Sequence, residues 1–198
     1  RLKNSPMPHK NPVDMLKGMV LTLGQLKIPY FITGGMAVVV WGRPRFTADV
    51  DIVVELSPES LPKLASALEQ FCKMGMIDRD AMKGALERNG EFNYIDADSD
   101  VKVDFWIAGN SPFDREAMKR AVTRETYGTT MSFISPEDLL LSKLLWVKKG
   151  SYRSMDDVVT ILQTRKDSLD WGYISHWVLT LGVQEELQKA KIIEEALR

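Results

Sequence analysis

The sequence predicts an α/β protein: a mixed β-sheet flanked by helices, followed by a mainly helical C-terminal region. Three observations carry this. Short β-rich runs recur, at "YFIT", residues 46–56, "EFNYIDA", "VKVDFWIA" and "TTMSFI". Segments with helical apolar spacing stand between them, separated by glycine or polar breaks. From Ser135 onward the chain reads as helix after helix.

The elements follow in order. "VDMLKGMVLTLGQLKI" places Val13, Leu16, Met19, Val20, Leu23 and Leu26 at helical spacing. Pro29 and "YFIT" give a short strand, stopped by Gly34 and Gly35, and "MAVVVWG" opens a second helix despite its β-branched run. Residues 46–56 read as a strand. "SPESLPKLASALEQFCKMG" is a helix with Ser57 or Ser60 as N-cap and Gly75 as its stop, and "DRDAMKGALERNG" a short helix ending at Gly90. The β-rich runs on either side of "DSD" predict a hairpin. "DREAMKRAV" is helical and "TTMSFI" a strand. "SPEDLLLSKLLWVKKG" starts a helix with Ser135 as N-cap, Pro136 at the first helical position, and Glu137 and Asp138 in the first turn. A soft boundary near residue 112 divides an α/β part, 1–112, from a mainly helical part, 113–198.

Composition narrows the function classes. A formal net charge of −1 excludes a protein whose whole surface is a nucleic-acid footprint, though not a local basic groove. Cys72 is the single cysteine, so an internal disulfide and a Cys-rich zinc site are excluded. The polar, proline-rich "RLKNSPMPHKNP" has no apolar signal core, and no apolar run is long enough to cross a bilayer. A soluble cytoplasmic protein with no membrane partner is the expectation. His9 and His176 are isolated; His176, in "YISHWVL", reads as core or interface.

The chemistry concentrates in "ITGGMAVVVWGRPRFTADVDIVVEL". Alternation along a strand puts Asp49 and Asp51 on one face and Val50 and Ile52 on the other. Arg45 and Thr47 join the aspartates if the strand is regular that far back. Aspartate is depleted in strands and like charges on one face repel, so such a pair calls for a counter-ion. Two hard carboxylates suit Mg²⁺ or Mn²⁺. In "VKVDFW", Asp104 is again an acid within a strand, sharing its face with Lys102 and Trp106. If the two strands are neighbours, three carboxylates converge, enough to hold two cations ~3.5–4 Å apart for in-line phosphoryl chemistry. Gly34 and Gly35, between a strand and a helix, let backbone N–H groups approach a phosphate.

These residues resemble the nucleotidyltransferase superfamily that includes DNA polymerase β. The match reads "TGG", thirteen residues, "DVDI", then "VDF", over roughly residues 28–108, with Thr33 where an apolar residue is more usual. The second half looks similar to the stand-alone minimal nucleotidyltransferases related to AbiEii-type toxins and lincosamide nucleotidyltransferases. There a Ser-Pro-Glu helix carries a lysine, and an Arg then an Asp follow on the next helix; Lys143, Arg153 and Asp157 occupy the matching places. The resemblance implies that Asp49 and Asp51 bind metal. It implies that Asp104 completes the site and acts as base, or holds the metal that activates the acceptor hydroxyl. Gly34 and Gly35 would cradle the β- and γ-phosphates, and Arg45 and Thr47 would touch phosphate or lock the loop. Lys143 would reach the triphosphate as a point charge, positioned by Arg153 and Asp157, which stand four apart on one helical face.

The function expected from all this is transfer of a nucleoside monophosphate from an NTP to a hydroxyl acceptor, with release of pyrophosphate. Small molecule, tRNA end and protein hydroxyl remain open as acceptors. The competing reading is a non-catalytic nucleotide- or partner-binding module on the same fold, for example part of a toxin–antitoxin pair. Phosphodiester hydrolysis at the same carboxylates is a third. Trp106 is expected either to stack on a base or to pack.

Overall fold

A computed structural model describes residues 11–197 apart from 48, 72, 73 and 98. His9 and Cys72 therefore lie outside the described residues. The chain runs α1 (Pro12–Gln25), β1 (Tyr30–Ile32), α2 (Gly34–Trp41), β2 (Val50–Val54), α3 (Leu61–Glu69), β3 (Gly75–Met76), α4 (Arg79–Arg88), β4 (Glu91–Asp96) and β5 (Val101–Ile107). It continues with α5 (Pro112–Lys119), β6 (Val122–Thr126), β7 (Thr129–Phe133), α6 (Pro136–Lys148), α7 (Tyr152–Arg165), α8 (Trp171–Leu181) and α9 (Gln184–Ala196). Among the described residues no helix is long and apolar enough to cross a membrane.

The strands form one mixed sheet in the order β3-β4-β5-β2-β1-β7-β6. β2 pairs parallel with β5 and β1 parallel with β7; the other neighbours are antiparallel. The predicted hairpin is β4–β5. One face of the central strands is fully apolar: Ile32, Val50, Ile52, Val54, Val103 and Phe105 are buried there, with Phe92 stacked on Phe105 at 5.0 Å. α1 and α4 pack against β5. The opposite face carries Asp51, Val53, Asp104 and Trp106. The sheet also spans residue 112, because β6 and β7 follow it in sequence and join β1 through β7.

Three expected elements differ in extent. β2 begins at Val50 rather than residue 46 and ends at Val54. Upstream the backbone leaves the ladder, because Arg45 is drawn to Asp157 and Thr47 Oγ1 donates back to Asp49 O at 3.4 Å. α3 stops at Glu69, well before Gly75, which opens β3 instead; Ser60 is its N-cap residue but makes no side-chain cap bond. β6 was not predicted. Its "VTRET" is mostly exposed and carries little apolar signal, so only the tight Tyr127–Gly128 turn, both residues at positive φ, marks the hairpin.

α2 forms despite three consecutive valines. Their helical penalty is below about 0.7 kcal/mol each, whereas burying a valine side chain fully contributes about 1.5–3 kcal/mol. Met36, Ala37, Val38 and Trp41 are buried and Val39 and Val40 half-buried, so the helix is covered nearly all round. Trp41 Nε1 donates to Ile134 O at 2.8 Å, tying α2 to the chain entering α6.

α6 starts as its sequence predicts: Ser135 caps Asp138 N at 3.0 Å and Pro136 opens the helix. Its first-turn acids are buried rather than solvated. Asp138 accepts from Ser135 Oγ and from Tyr173 OH, both at 2.6 Å, and Arg120 Nε lies 3.5 Å away. Arg120 also stacks on the Tyr173 ring at 3.9 Å and pairs with Glu137 at 3.2 Å. Burial pushes the Asp138 carboxyl up, opposed by these donors. The network fixes α8 against the head of α6, and α6 in turn packs on α7, whose residues form the far wall of the cleft described next.

Candidate functional site

The polar face of β2 and β5 opens into a cleft of about 450 Å³, lined by the head of α2, the loop before β2, the head of α5 and residues from α6 and α7. That volume lies within the range of small-molecule sites. Its centre is set by strand register. In the parallel β2–β5 ladder Asp51 pairs with Asp104. Thr33 N donates to Asp51 O at 3.0 Å, which brings the glycine turn beside the Asp51 side chain.

The turn is fitted to that side chain. Gly34 has φ +59°, and a Cβ added to it would stand 1.9 Å from Asp51 Oδ2. A Cβ on Gly35 would stand 2.3 Å from Thr47 Oγ1. Only glycine gives both the left-handed backbone and the space. Thr33, the N-cap of α2, makes no side-chain cap bond, so the first N–H groups of this helix carry no side-chain cap where they meet the cleft.

Of the sequence-predicted residues, Gly34, Gly35, Arg45, Thr47, Asp49, Asp51, Lys143, Arg153 and Asp157 all line this one cleft. Their pairing differs from expectation in one respect. Asp157, 2% exposed, is held by Arg45 Nε at 2.8 Å, Arg45 Nη2 at 3.1 Å and Lys143 Nζ at 2.8 Å, rather than by Arg153. The fork of Arg45 meets the carboxylate bidentately, and that geometry outcompetes a neighbour on the same helix. Arg153 is exposed on the cleft wall beside Ser151 and Ser154 in the first turn of α7.

Asp104 is beside Asp51 in the sheet but not among the lining residues. Lys102, two residues earlier on the same face of β5, places its Nζ 3.0 Å from Asp104 Oδ1. The three aspartates therefore do not form a ready cage: among the described residues no three His, Cys, Asp or Glu side chains are gathered to hold a metal. The donor chemistry nevertheless fits a hard cation, since Asp49, Asp51 and Asp104 offer oxygen only. The electrostatics point the same way. Burial, and then the charges of Asp104 and Asp49, push the Asp51 carboxyl above its ordinary range, while the Trp106 N–H and Lys143 act against this. A site with excess negative charge around a buried carboxylate is one a divalent cation would neutralise. Asp49 and Asp51 could hold it directly; Asp104 could join once released from Lys102.

Trp106 packs, one of the two expectations for it, and it also reaches Asp51. Its Nε1 donates to Asp51 Oδ1 in a long bond of 3.4 Å, and its ring meets Trp146 at 6.3 Å and 72°. Lys149 Nζ lies 4.7 Å over the Trp146 ring. Trp146, Lys149, Ser151 and Ser154 also line the cleft, and Lys102 sits on Asp104 beside it. Lys102 carried a sequence signal in its shared strand face with Asp104, and Lys149 and Ser151 stand in the basic run "KKGSYR", which reads as one edge of a basic groove.

The geometry invites comparison with known proteins. No curated protein sequence matches the chain significantly. Solved structures similar to it include the lincosamide antibiotic adenylyltransferase LnuA in its lincomycin-bound form, with 13% identity over 77% of this chain and 97% of that one and a TM-score of 0.53. An antigenic nucleotidyltransferase-like protein from Paracoccidioides brasiliensis is 16% identical over 89% of this chain and 90% of that one, with a TM-score of 0.51. The antibiotic-resistance factor ANT(2'')-Ia is 13% identical over 94% and 90%, with a TM-score of 0.50. At such identities the likeness is one of fold, a mixed-sheet nucleotidyltransferase fold. The family model for the nucleotidyl transferase AbiEii toxin of type IV toxin–antitoxin systems matches residues 17–174, a span that takes in the glycine turn, all three aspartates and the Arg45–Asp157–Lys143 cluster. On that match, covering well over half its length, the chain belongs to the AbiEii nucleotidyl transferase family.

Proposed function

We propose that this protein is a metal-dependent nucleotidyltransferase that moves an NMP from an NTP to a hydroxyl acceptor and releases pyrophosphate. The observation that carries the reading is the pairing of Asp51 with Asp104 in the β2–β5 ladder, with Asp51 seated against Gly34 at the head of α2. Acid pair and phosphate-accessible helix terminus thus share one point. The N–H groups of α2 and the charges of Arg45, Lys143 and Arg153 take the β- and γ-phosphates. Asp49 and Asp51 would hold Mg²⁺ or Mn²⁺, and a second ion would require Asp104. When bound, such ions neutralise charge on the triphosphate and lower the pKa of the acceptor hydroxyl. The acceptor oxygen forms a bond to the α-phosphorus, the bond to the bridging oxygen breaks, and the hydroxyl proton passes to Asp104.

One observation favours a second reading, a nucleotide-binding module without catalysis, acting as one half of a toxin–antitoxin pair. The Lys102 ammonium stands on Asp104, and among the described residues no three acids are gathered. Thermal melting with ATP, GTP, CTP and UTP, each with and without Mg²⁺, tests both. A ligand that binds only the native state raises the melting temperature. Transfer predicts a Mg²⁺-dependent rise with at least one nucleotide, lost in Asp51→Asn, together with pyrophosphate release once an acceptor is supplied. A rise that is independent of metal and of Asp51 would favour the module. No rise with any nucleotide would remove both readings.

A further inference from the structure

The cleft has two chemically different ends, and strand register divides them. Asp51 and Asp104 form one row of the sheet. The next row on the same face, ~6.6–6.8 Å farther along, is Trp106–Val53–Phe31. On the N-terminal side of the acid row the chain leads back to Thr47 and Arg45, and Lys143 meets Arg45 on Asp157. On the other side the walls are apolar, with Val53, Trp106, Leu145 and Trp146 reaching the surface of the cleft and Phe113 buried behind them.

We propose that the apolar end is the acceptor site, and that it takes a neutral hydroxyl compound with a flat or aliphatic face beside its hydroxyl. This inference rests on the nucleotidyl-transfer reading. Three features support it. In-line displacement puts the attacking oxygen and the leaving pyrophosphate on opposite sides of the α-phosphorus. Arg45 and Lys143 meet at one end of the cleft on their shared anion Asp157, near the head of α2 that no side chain caps, so the leaving group departs there and the acceptor approaches from the other.

The charges at the apolar end also favour a neutral ligand over a polycation. Its one carboxylate, Asp114, is committed to the head of α5: Oδ2 accepts from Ser111 Oγ at 2.6 Å and Ser111 N at 3.2 Å. The nearest ammonium, Lys149, lies over Trp146 and repels a cationic ligand. Finally, Trp106 joins the two rows, since its N–H reaches back to Asp51 and Asp104 lies two residues before it on the same strand face. A molecule resting on this tryptophan has its hydroxyl beside the group that receives the proton.

The test uses 2-naphthol as the neutral, flat probe and tobramycin as the polycation. Both are titrated into the full chain saturated with an α,β-methylene analogue of whichever nucleotide raises its melting temperature. The readout is the indole N–H resonance of Trp106, assigned by its loss in Trp106→Phe. The expected result is a saturable shift with 2-naphthol and none with tobramycin, and about tenfold weaker binding of 2-naphthol in Trp146→Ala, a change at a half-exposed side chain. Absence of a shift while nucleotide still binds overturns this inference alone. Mutual exclusion of nucleotide and 2-naphthol also overturns it, by giving the apolar end to the donor's base. A preference for tobramycin overturns the charge argument. If no nucleotide stabilises the chain, the transfer reading falls and this one with it.

Discussion

Gly34→Ala probes the head of α2 and the seat of Asp51 in one substitution. Alanine at φ +59° enters the left-handed region, at about 1–2 kcal/mol. Its methyl would stand 1.9 Å from Asp51 Oδ2 and 2.9 Å from Asp51 Cβ. Non-bonded carbon contacts want about 3.5–4.0 Å, so the carboxylate or the turn must move by roughly 1.5 Å or more. Asp51 has little room to yield, being held by the Trp106 N–H and adjacent to Asp104 in the ladder. Overpacking of this kind adds about 1–3 kcal/mol. The sum is about 2–5 kcal/mol, and for a chain of this length each kcal/mol lowers the melting temperature by about 2–4 °C. Calorimetry should therefore show a fall of roughly 4–20 °C. The Mg²⁺-dependent nucleotide shift should vanish as well, since the displaced carboxylate leaves both cradle and metal site. Gly24→Ala is the control. Gly24 lies within α1, with nothing within 4 Å of an added Cβ, so alanine should stabilise by about 0.5–1 kcal/mol. A Gly34→Ala protein that melts within a degree of wild type and still binds nucleotide would refute the argument, because Asp51 would not be seated against that glycine.

Three further outcomes are expected. The raised pKa of Asp51 means that its contribution to stability, without metal, is present below the ordinary carboxylate range and lost as pH rises through the raised value. Asp51→Asn removes that loss, so the mutant's melting advantage should grow from acid to neutral pH and disappear on adding Mg²⁺; an advantage independent of pH would mean the carboxyl is not perturbed. Asp157→Ala leaves Arg45 and Lys143 facing each other without their shared anion and should destabilise by about 3 kcal/mol, read by chemical denaturation; a change below about 0.5 kcal/mol would class the cluster as surface charge. Lys102→Met removes a positive charge from Asp104, a change on the order of 1–4 kcal/mol in a cation's favour at short range. Mn²⁺ binding followed by electron paramagnetic resonance should tighten about tenfold or more, and unchanged affinity would show that Lys102 does not compete with metal.

Much of the fold could be read in the sequence because its signals are local. The alternation in "VKVDFW" puts Lys102, Asp104 and Trp106 on one face, and the structure has them there. Ser135 and Pro136 mark the start of α6 by their own chemistry. The glycine turn and Asp51 were legible as a pair because a Gly-Gly doublet breaks the chain between a strand and a helix, while an acid within a strand goes against a local preference. What escaped was non-local or masked by polarity. Arg45 and Asp157 are 112 residues apart and meet through the packing of α7 on α2, which no periodicity reports. Arg153 looked the natural partner of Asp157 by helical spacing, yet a bidentate guanidinium from a distant loop takes its place. β6 lacks the apolar face that reveals a strand, and β7 joins the sheet only by parallel pairing to a strand far back in the chain.

The Arg45–Asp157–Lys143 cluster has a consequence for selectivity. These two cations already have an anion, so under the proposed transfer a donor would enter by exchange: it would have to draw Arg45 and Lys143 away from a buried carboxylate. That sets a threshold of valence. A nucleoside brings nothing to trade, a monophosphate little more than the charge it displaces, and a triphosphate a clear surplus. Discrimination among nucleosides, NMP, NDP and NTP would then need no steric gauge of phosphate number, because Asp157 itself would be the competitor against which each is weighed.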